Sequence, residues 1–256
     1  MRIAVAGKGG AGKTTISATL ARLLARSGAP VVAIDADSNP NLATALGVDR
    51  EREGEPTTLP PSIVSRRLQG PALVEPVEDV LDHHTVRAPD GVRLTLMGMP
   101  AHANEGCLCS AHATVSAVLG DLGASPRIAT IVDMEASPEH LSRGTARHVD
   151  VLLLVAEPYF RSLETVRRMA ALAEELPIAR LGVVANKVRS PADAEAIAEF
   201  CARHGFELVA QLPWSDAVVD ADRAGVPLIE HADGAEVVQA LAELAPRLLT
   251  AGQPAT

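Results

Sequence analysis

Near its amino terminus the chain reads Gly7-Lys8-Gly9-Gly10-Ala11-Gly12-Lys13-Thr14-Thr15. The run matches the phosphate-loop pattern, in which a glycine is followed after four residues by Gly-Lys-Ser/Thr. It lies between a predicted buried strand at residues 3–6 and a predicted helix, which is the context that the pattern requires. In such a loop, backbone N–H groups and the helix N-terminus surround phosphate oxygens. We therefore expect residues 7–15 to hold a nucleoside triphosphate, with Lys13 at its β- and γ-phosphates and the Thr14 hydroxyl on Mg²⁺.

Apolar runs alternate with amphipathic stretches along the chain, and this alternation decides the predicted fold class. It predicts an α/β fold with a doubly wound parallel sheet, in which ligands bind at the carboxyl ends of the strands. We expect one domain over residues 1–256, with an irregular insertion at residues 50–90. Strands are predicted at residues 3–6, 31–34, 93–97, 128–132, 151–155, 181–185 and 206–212. Helices are predicted from the loop to Gly28 and at residues 111–122, 162–175, 191–204, 215–224 and 235–249.

The composition limits the classes of function that the chain can serve. Hydrophobic residues make up 47% of the 256 residues and aromatic residues 2%, so the predicted core is mainly aliphatic. The net charge of −9 argues against a nucleic-acid-binding surface. The 3 cysteines are too few for a disulfide framework, and neither a secretory signal nor an apolar run of about 18 residues is visible. We expect a cytoplasmic protein with neither nucleic acid nor membrane as a partner.

Lys8 distinguishes this loop from an ordinary phosphate loop. With the additional lysine the run resembles the deviant phosphate loop of the MinD/ParA/nitrogenase-iron-protein class of ATPases. The resemblance implies a nucleotide-dependent homodimer in which Lys8 contacts the phosphates bound by the other subunit. Such a lysine would stabilise charge on the transferred phosphoryl group, as an arginine finger does.

Two acidic segments correspond to the catalytic carboxylates of the same class. By this resemblance Asp37, which follows the second predicted strand, orients the attacking water or holds a Mg²⁺-bound water, and Asp35 is placed to share that work. Asp133, at the end of a later strand, contacts Mg²⁺ through water. The resemblance therefore assigns catalysis to Lys8, Lys13, Asp37 and Asp133, and magnesium binding to Thr14, Asp37 and Asp133.

The base-binding positions of the class also have counterparts in this sequence. Asn186-Lys187 follows a predicted strand and resembles the adenine-reading position, while Pro213 resembles the start of a loop that packs on the base. An asparagine side chain can both donate to and accept from a base edge. Val188 stands where related GTPases have a guanine-specific aspartate, so ATP is the expected nucleotide.

Cys107-Leu108-Cys109 is the second informative run of the sequence. Cysteines two residues apart on an extended loop point to the same side, so both sulfurs could ligate one metal ion. A closed soft-metal site uses four ligands, which two such loops in a symmetric dimer would supply. Structural or chance pairing explains the spacing equally well. His102 and His112 are candidate further ligands for which a surface or capping role is favoured, and Cys201 is expected in the core.

Several blocks together resemble the CooC family, the ATPases that help to insert nickel into carbon monoxide dehydrogenase. The resemblance implies a nucleotide-controlled dimer that binds Ni²⁺ or Zn²⁺ through Cys107 and Cys109. Its implied client is carbon monoxide dehydrogenase or a related metalloenzyme. The blocks are Gly106-Cys107-Leu108-Cys109, Asp133-Met134-Glu135-Ala136, Glu139-His140-Leu141 and Arg143-Gly144-Thr145.

Two serines depart from the pattern of that family. Ser38 stands where the family usually has proline, and Ser137 stands where it usually has glycine. A glycine there lets the backbone approach the γ-phosphate or flex on hydrolysis. Ser137 therefore predicts slower or retuned hydrolysis, or a paralogue that serves another client.

Two other functions are compatible with the same phosphate loop. A spatial regulator of cell division or DNA partition commonly attaches to a membrane or to DNA through a basic helix or face. The C-terminal helix predicted here carries little positive charge and contains Pro246, so it reads as a core-packing helix. An iron–sulfur carrier of this class draws cluster cysteines from two separated segments, whereas this chain offers only the Cys107–Cys109 pair in a suitable loop.

Overall fold

The computed structural model describes residues 1–67, 69–98, 109–231 and 234–250. Its strands are β1 Arg2–Gly7, β2 Val31–Ala36, β3 Thr58–Leu59, β4 Val86–Arg87, β5 Arg93–Met97, β6 Ala129–Met134, β7 Val151–Ala156, β8 Arg180–Val188 and β9 Glu207–Pro213. Its helices are α1 Lys13–Arg26, α2 Leu42–Leu46, α3 Arg50–Glu53, α4 Val77–His84, α5 Cys109–Leu122, α6 Glu139–Ser142, α7 Phe160–Ala173, α8 Pro191–His204, α9 Asp216–Ala224 and α10 Ala235–Thr250.

One sheet organises the fold, with the strand order β3-β5-β2-β6-β1-β7-β8-β9. All of these neighbours pair in parallel, whereas β4 pairs with β5 antiparallel. The chain runs from β1 to strands on one side and, after β6, to strands on the other side. This arrangement confirms the predicted doubly wound α/β fold, because the change of direction next to β1 opens a crevice at the carboxyl ends of the central strands.

The central strands are buried on both faces, which explains why they read as continuous apolar runs rather than alternating ones. Along β1, Ala4 and Ala6 belong to one hydrophobic cluster, whereas Ile3 and Val5 belong to the cluster on the opposite face. Both clusters consist mainly of Val, Leu, Ile and Ala side chains, as the low aromatic content predicts. The helices therefore lie on both faces of the sheet and leave its carboxyl edge for the loops.

The segment at residues 50–90 contains more regular structure than the sequence indicates. It includes α3, β3, α4 and β4, and β3 pairs in parallel with β5 at one end of the sheet. Strands β3 and β4 have only two residues each, and an alternation of apolar and polar residues cannot be recognised over so short a stretch. The segment thus extends the sheet as well as forming loops, while its description as an insertion in a single domain stays a prediction.

The C-terminal helix packs against the body of the protein. Leu241, Leu244 and Leu248 of α10 are buried in the cluster that also holds α1 residues. This confirms the predicted core-packing helix. Among the described residues, no helix is long and apolar enough to cross a membrane.

Candidate functional site

The loop between β1 and α1 owes its path to glycines. Gly7 has φ 153°, and a Cβ there would lie 2.8 Å from the carbonyl oxygen of Val155. Gly12 has φ 97°, a left-handed conformation that a side chain disfavours, and a Cβ there would collide with Nδ2 of Asn186. The loop can therefore turn back over the carboxyl end of β1 and pass directly into a helix.

The N-terminus of α1 faces this loop with its backbone N–H groups. Gly12 is the N-cap residue, and within the described part of the chain no side chain caps the helix. The first turn of a helix offers N–H groups and a partial positive charge to an anion. Lys13 adds a nearly buried ammonium group whose Nζ lies 3.5 Å from the carbonyl oxygen of Lys8. Together these groups form the donor set that a polyphosphate requires.

Asp133 lies beneath the loop, near the end of β6, with 1% of its surface exposed. Desolvation by burial raises the pKa of its carboxyl group to about 7, while hydrogen bonds from the Thr14 and Ser17 hydroxyls oppose the shift. The Ser17 hydroxyl donates to Oδ1 of Asp133 over 3.1 Å. The protein therefore holds a carboxylate in a place where its charge is poorly solvated, and a bound cation would stabilise that charge.

Asp35 and Asp37 follow the neighbouring strand but have different surroundings. Asp35 is buried, and its two carboxylate oxygens accept the backbone N–H groups of Leu42 and Asp37 over 2.8 and 3.2 Å. Burial raises its pKa, while these hydrogen bonds lower it. Asp37 is partly exposed and accepts the N–H group of Asn39 over 2.8 Å. Asp35 thus shapes the loop that leads into α2, and the more accessible Asp37 is better placed to meet a ligand.

The oxygen atoms of this site fit a magnesium ion. Thr14 contributes a hydroxyl group, and Asp133 and Asp37 contribute carboxylates from two adjacent strand ends. Hard oxygen donors suit Mg²⁺, which commonly binds through one or two carboxylates together with phosphate oxygens. The donor chemistry is therefore consistent with the magnesium ligands that the sequence implies.

Asn186 and Lys187 reach the phosphate loop from the end of β8. Nδ2 of Asn186 donates to the carbonyl oxygen of Ala11 over 2.7 Å, and its Oδ1 accepts the N–H group of Lys187. Nζ of Lys187 lies 2.5 Å from the carbonyl oxygen of Gly10 and 2.8 Å from Oε1 of Glu157. Base recognition by this pair stays a prediction from the sequence. In the structure both side chains donate hydrogen bonds to backbone carbonyl groups of the phosphate loop.

Glu157 is a site residue that the sequence analysis missed. It is 5% exposed and directly follows β7, so its carboxylate lies at the same edge of the sheet as the other site residues. Besides pairing with Lys187, Glu157 accepts a hydrogen bond from the hydroxyl of Tyr159 over 2.5 Å. Desolvation by burial, together with this hydrogen bond, raises the pKa of the Tyr159 phenol to about 12. An acidic residue immediately after an apolar run in a parallel sheet was the available signal.

A cavity of about 380 Å³ extends from the phosphate loop toward β9. Thr15, Asn186, Pro213 and Trp214 are among its lining residues. The guanidinium group of Arg189 lies 3.8 Å from the ring centroid of Trp214. Pro213 lines the same cavity as residues of the phosphate loop, while its role in packing on the base stays a prediction. The lining combines apolar side chains with polar groups, which is usual for a ligand site.

Lys8 projects toward the segment that begins α7. Its Nζ lies 5.6 Å from the centroid of the Tyr159 ring, within the range of a cation–π interaction. The adjacent Phe160 is 79% exposed. The ammonium group of Lys8 thus faces an aromatic ring, whereas that of Lys13 is nearly buried beneath the backbone of the loop.

The two cysteines of the Cys107–Cys109 run can be described only in part, because Cys107 lies outside the described residues. Cys109 is exposed at the start of α5, and its Sγ accepts a hydrogen bond from Nη1 of Arg143 over 2.9 Å. Within residues 1–67, 69–98, 109–231 and 234–250, no group of three or more metal-binding side chains is assembled. Cys201 is buried in a hydrophobic cluster, as predicted.

One of the two histidines near this run, His112, has surroundings that differ from those expected. His102 lies outside the described residues, but His112 is 2% exposed, and its Nδ1 is 3.0 Å from the Thr145 hydroxyl. The favoured surface or capping role of His112 is therefore wrong, because the side chain points from α5 into the interior. His140 packs against it with ring centroids 4.5 Å apart, and burial lowers the pKa of His140 to about 4.

Comparison with known proteins relates this geometry to a family. Residues 3–228 match the family described as the CobQ/CobB/MinD/ParA nucleotide binding domain. The carbon monoxide dehydrogenase accessory protein CooC of Rhodospirillum rubrum is 38% identical over 236 residues, covering 88% of each chain. An uncharacterized ATP-binding protein of Methanocaldococcus jannaschii is 35% identical over 237 residues, covering 89% of this chain and 91% of that protein.

Solved structures share the fold at low sequence identity. The MinD cell division protein of Aquifex aeolicus has a TM-score of 0.70 and 22% identity, covering 100% of this chain and 99% of its own. Cobyrinic acid a,c-diamide synthase from Mycobacterium smegmatis, solved with bound ADP and magnesium, has a TM-score of 0.62 and 18% identity, covering 97% and 94%. These structures support the α/β architecture and carry no further argument about function.

Proposed function

Because this chain belongs to the CobQ/CobB/MinD/ParA nucleotide-binding family as a phosphate-loop ATP-binding protein, we propose that it is an ATP-hydrolysing maturation factor for a nickel enzyme. In this proposal the protein dimerises on ATP, binds Ni²⁺ and delivers it to carbon monoxide dehydrogenase or a related metalloenzyme. The observation that carries the proposal is the 38% identity to a CooC accessory protein across 88% of the chain.

The site offers a specific role to each residue of the phosphate-binding region. The first-turn N–H groups of α1 and the ammonium group of Lys13 bind the β- and γ-phosphates. Thr14 and Asp133 hold Mg²⁺, which when bound neutralises charge on the transferred phosphoryl group. Asp37, the more accessible carboxylate, orients the attacking water. These assignments use the burial, hydrogen bonds and donor atoms of the site.

Lys8 and the aromatic residues beside it support the dimer of this proposal. In it, Lys8 leaves the Tyr159 ring and reaches the phosphates bound by the second subunit. The exposed Phe160 gives the same face an apolar contact. An ATP-dependent dimer would therefore complete the catalytic site with a positive charge that the isolated subunit directs elsewhere.

The metal is the cargo of the proposed reaction. Cys107 and Cys109 of each subunit provide two thiolates, and a dimer provides the four that a closed soft-metal site uses. Thiolates suit Ni²⁺ and Zn²⁺ alike, so Zn²⁺ is a useful probe in solution. Hydrolysis relaxes the dimer and releases the metal toward the client enzyme.

Metal binding in each nucleotide state tests the proposal directly. We would measure Ni²⁺ and Zn²⁺ binding under reducing conditions with no nucleotide, ADP or ATP, together with the oligomeric state. The expected result is about one metal ion per dimer, lost in the variant Cys107→Ser/Cys109→Ser and retained in Cys201→Ala, the matched cysteine control. Unchanged metal binding in the double variant would refute the interface site, and nickel-dependent activation of the client enzyme would test delivery.

A spatial regulator of cell division or DNA partition is the second candidate, because the description of the matching family includes MinD and ParA. Against it, the apolar residues of α10 are buried against α1, which leaves that face unable to bind a membrane. ATP-dependent pelleting with liposomes or DNA, without metal binding in any nucleotide state, would favour this candidate. An iron–sulfur carrier is the third, and a visible absorption band after anaerobic purification would identify it.

A further inference from the structure

The proposed nucleotide and metal sites are joined by one stretch of chain. From Asp133 the chain leaves β6, forms α6, passes through residues 143–145 and packs against α5, which begins at Cys109. We call residues 140–145 the coupling segment. It contacts the acidic site at one end and the cysteine helix at the other, through three side chains.

The first contact lies at the nucleotide end of the coupling segment. His140 is 1% exposed, and its ring approaches the backbone of Ala36, which stands between Asp35 and Asp37. In addition, Gly9 of the phosphate loop lies beside Ala136, since a Cβ on Gly9 would be 3.5 Å from the Ala136 side chain. If phosphate binding moves the loop after β2 or the loop after β6, the movement is therefore passed on to the segment that contains His140.

The second contact connects the coupling segment to α5. The His112 ring packs edge-on against His140, with an interplanar angle of 73°. Its Nδ1 pairs with the hydroxyl of Thr145, which is fully buried. Because His112 is one helical turn beyond Cys109, it holds the same end of α5 that carries the sulfur.

The third contact reaches the sulfur itself. Arg143 donates from Nη1 to Sγ of Cys109 over 2.9 Å. The exposed Arg147 lines the same cavity of about 540 Å³ beside Cys109. Arg143 is therefore a direct link from the coupling segment to a cysteine, and Arg147 is a nearby arginine for comparison.

We infer that the coupling segment transmits the state of the nucleotide site to Cys109, with Arg143, Thr145 and the His112–His140 pair as positioning residues. The inference rests on the proposed function for its ligands and deepens it by naming the residues that regulate the metal site. Packed side chains respond to displacement as a unit, because an interior at close packing has few gaps to absorb movement. Residues 143–145 contact α5 at Cys109 and, one turn later, at His112. A displacement of these residues therefore displaces the start of α5 as well.

The test compares how nucleotide changes the cysteine site in matched variants. Arg143→Met removes the contact with Cys109 at an exposed position, and Arg147→Met is its control. Thr145→Val removes the hydroxyl that pairs with His112, while Thr145→Ser retains it. Zn²⁺ affinity is measured by chelator competition under reducing conditions, with ADP and with a non-hydrolysable ATP analogue. A second readout is the rate of alkylation of Cys109 in the metal-free protein, resolved by mass spectrometry.

In the wild type we expect the analogue to change Zn²⁺ affinity by about fivefold or more relative to ADP, as for a typical coupling between sites. In Arg143→Met and Thr145→Val, Zn²⁺ affinity should be nearly the same with the analogue as with ADP. The rate of Cys109 alkylation should likewise be nearly the same with the two nucleotides. Both variants should keep their affinity for the analogue within about threefold of the wild type. Arg147→Met and Thr145→Ser should respond to the two nucleotides as the wild type does.

The two readouts separate failure of this inference from failure of the proposed function. If Zn²⁺ affinity responds to nucleotide equally in Arg143→Met, Thr145→Val and the wild type, the inference is overturned while the metal function stands. If the wild type binds no Zn²⁺ but its nucleotide-dependent alkylation is lost in both variants, the coupling stands and the metal function fails. If neither readout responds to nucleotide in the wild type, both are overturned.

Discussion

Asp35 and Asp133 lie directly opposite each other in the register of β2 and β6, and both carboxyl groups are buried. Two acids on adjacent strands repel each other when both are charged. Burial is the main cause of the raised pKa of Asp133, and the charge on Asp35 adds to it. The protein maintains this unfavourable pair beneath its phosphate loop. Buried acids with raised pKa values are typical of functional sites, and a bound cation would stabilise their charged form.

The raised pKa of Asp133 predicts a specific dependence of stability on pH. A carboxyl group with a pKa of about 7 in the folded state and an ordinary one when unfolded favours folding at low pH. That contribution is complete below the unfolded pKa and is lost as the pH rises through about 7. Without nucleotide and Mg²⁺, Asp133→Asn should therefore unfold at a higher denaturant concentration than the wild type at pH 8. The expected difference is on the order of 3 kcal/mol.

Denaturant unfolding of both proteins at pH 5 and pH 8 measures this effect. The stability of Asp133→Asn should change less between the two pH values, and Mg²⁺ with ATP should stabilise only the wild type strongly. Equal pH dependence in the two proteins would show that Asp133 is charged in the fold at neutral pH.

The two lysines of the loop should separate binding from hydrolysis. Lys13→Met removes the buried ammonium group and should weaken ATP binding by about 10- to 100-fold, because hydrogen bonds to charged groups contribute about 1.5–3 kcal/mol. Lys8→Met should bind ATP nearly as well as the wild type but lose ATP-dependent dimerisation and phosphate release. Calorimetry, light scattering and a phosphate-release assay measure these properties, and a fully active Lys8→Met would contradict its assignment.

Two glycines of the loop provide a matched pair of substitutions. Gly10 and Gly12 both have left-handed backbones, but a Cβ on Gly10 would meet open space, whereas one on Gly12 would meet the Asn186 amide. Gly10→Ala should cost only the conformational penalty, about 1–2 kcal/mol. Gly12→Ala should lower Tm further and weaken ATP binding more, because it also displaces the hydrogen bond from Asn186 to Ala11. Equal effects would indicate that Asn186 moves aside freely.

Trp214 offers a direct measure of where the base binds. It is the only tryptophan, lines the cavity next to the phosphate loop, and stacks with Arg189. ATP or ADP should change its emission with a saturable dependence on concentration. Arg189→Gln should alter the emission without nucleotide while retaining a response to it. Unchanged wild-type emission at saturating nucleotide would show that the base lies away from Trp214.

Ser38 shows how a departure from a family pattern can be interpreted only in three dimensions. Its hydroxyl donates to Oε1 of Glu135 over 2.9 Å, which joins the loop after β2 to the loop after β6. The proline usual at this position has no side-chain hydroxyl. The sequence shows only that a residue differs, whereas the structure identifies a bond between the two acidic loops.

The sequence predicted the features that depend on local chemistry. The strand at residues 93–97 and the helix at residues 191–204 have the predicted bounds, because apolar period and capping residues act over a few neighbours. Ser190, whose side chain accepts the Asp193 N–H group, is such a local signal. The two-residue strands β3 and β4 had no comparable pattern.

The sequence by itself determined the class of the fold and the phosphate loop, since each rests on residues that are neighbours along the chain. Only the tertiary structure decided that Asn186 would bond Ala11, that Glu157 would pair with Lys187, and that His112 would face Thr145. These partners are separated by many residues and meet only because parallel strands end at one edge of the sheet or because helices pack against it. The sequence identifies each side chain and its chemistry, but which side chains meet depends on the tertiary fold.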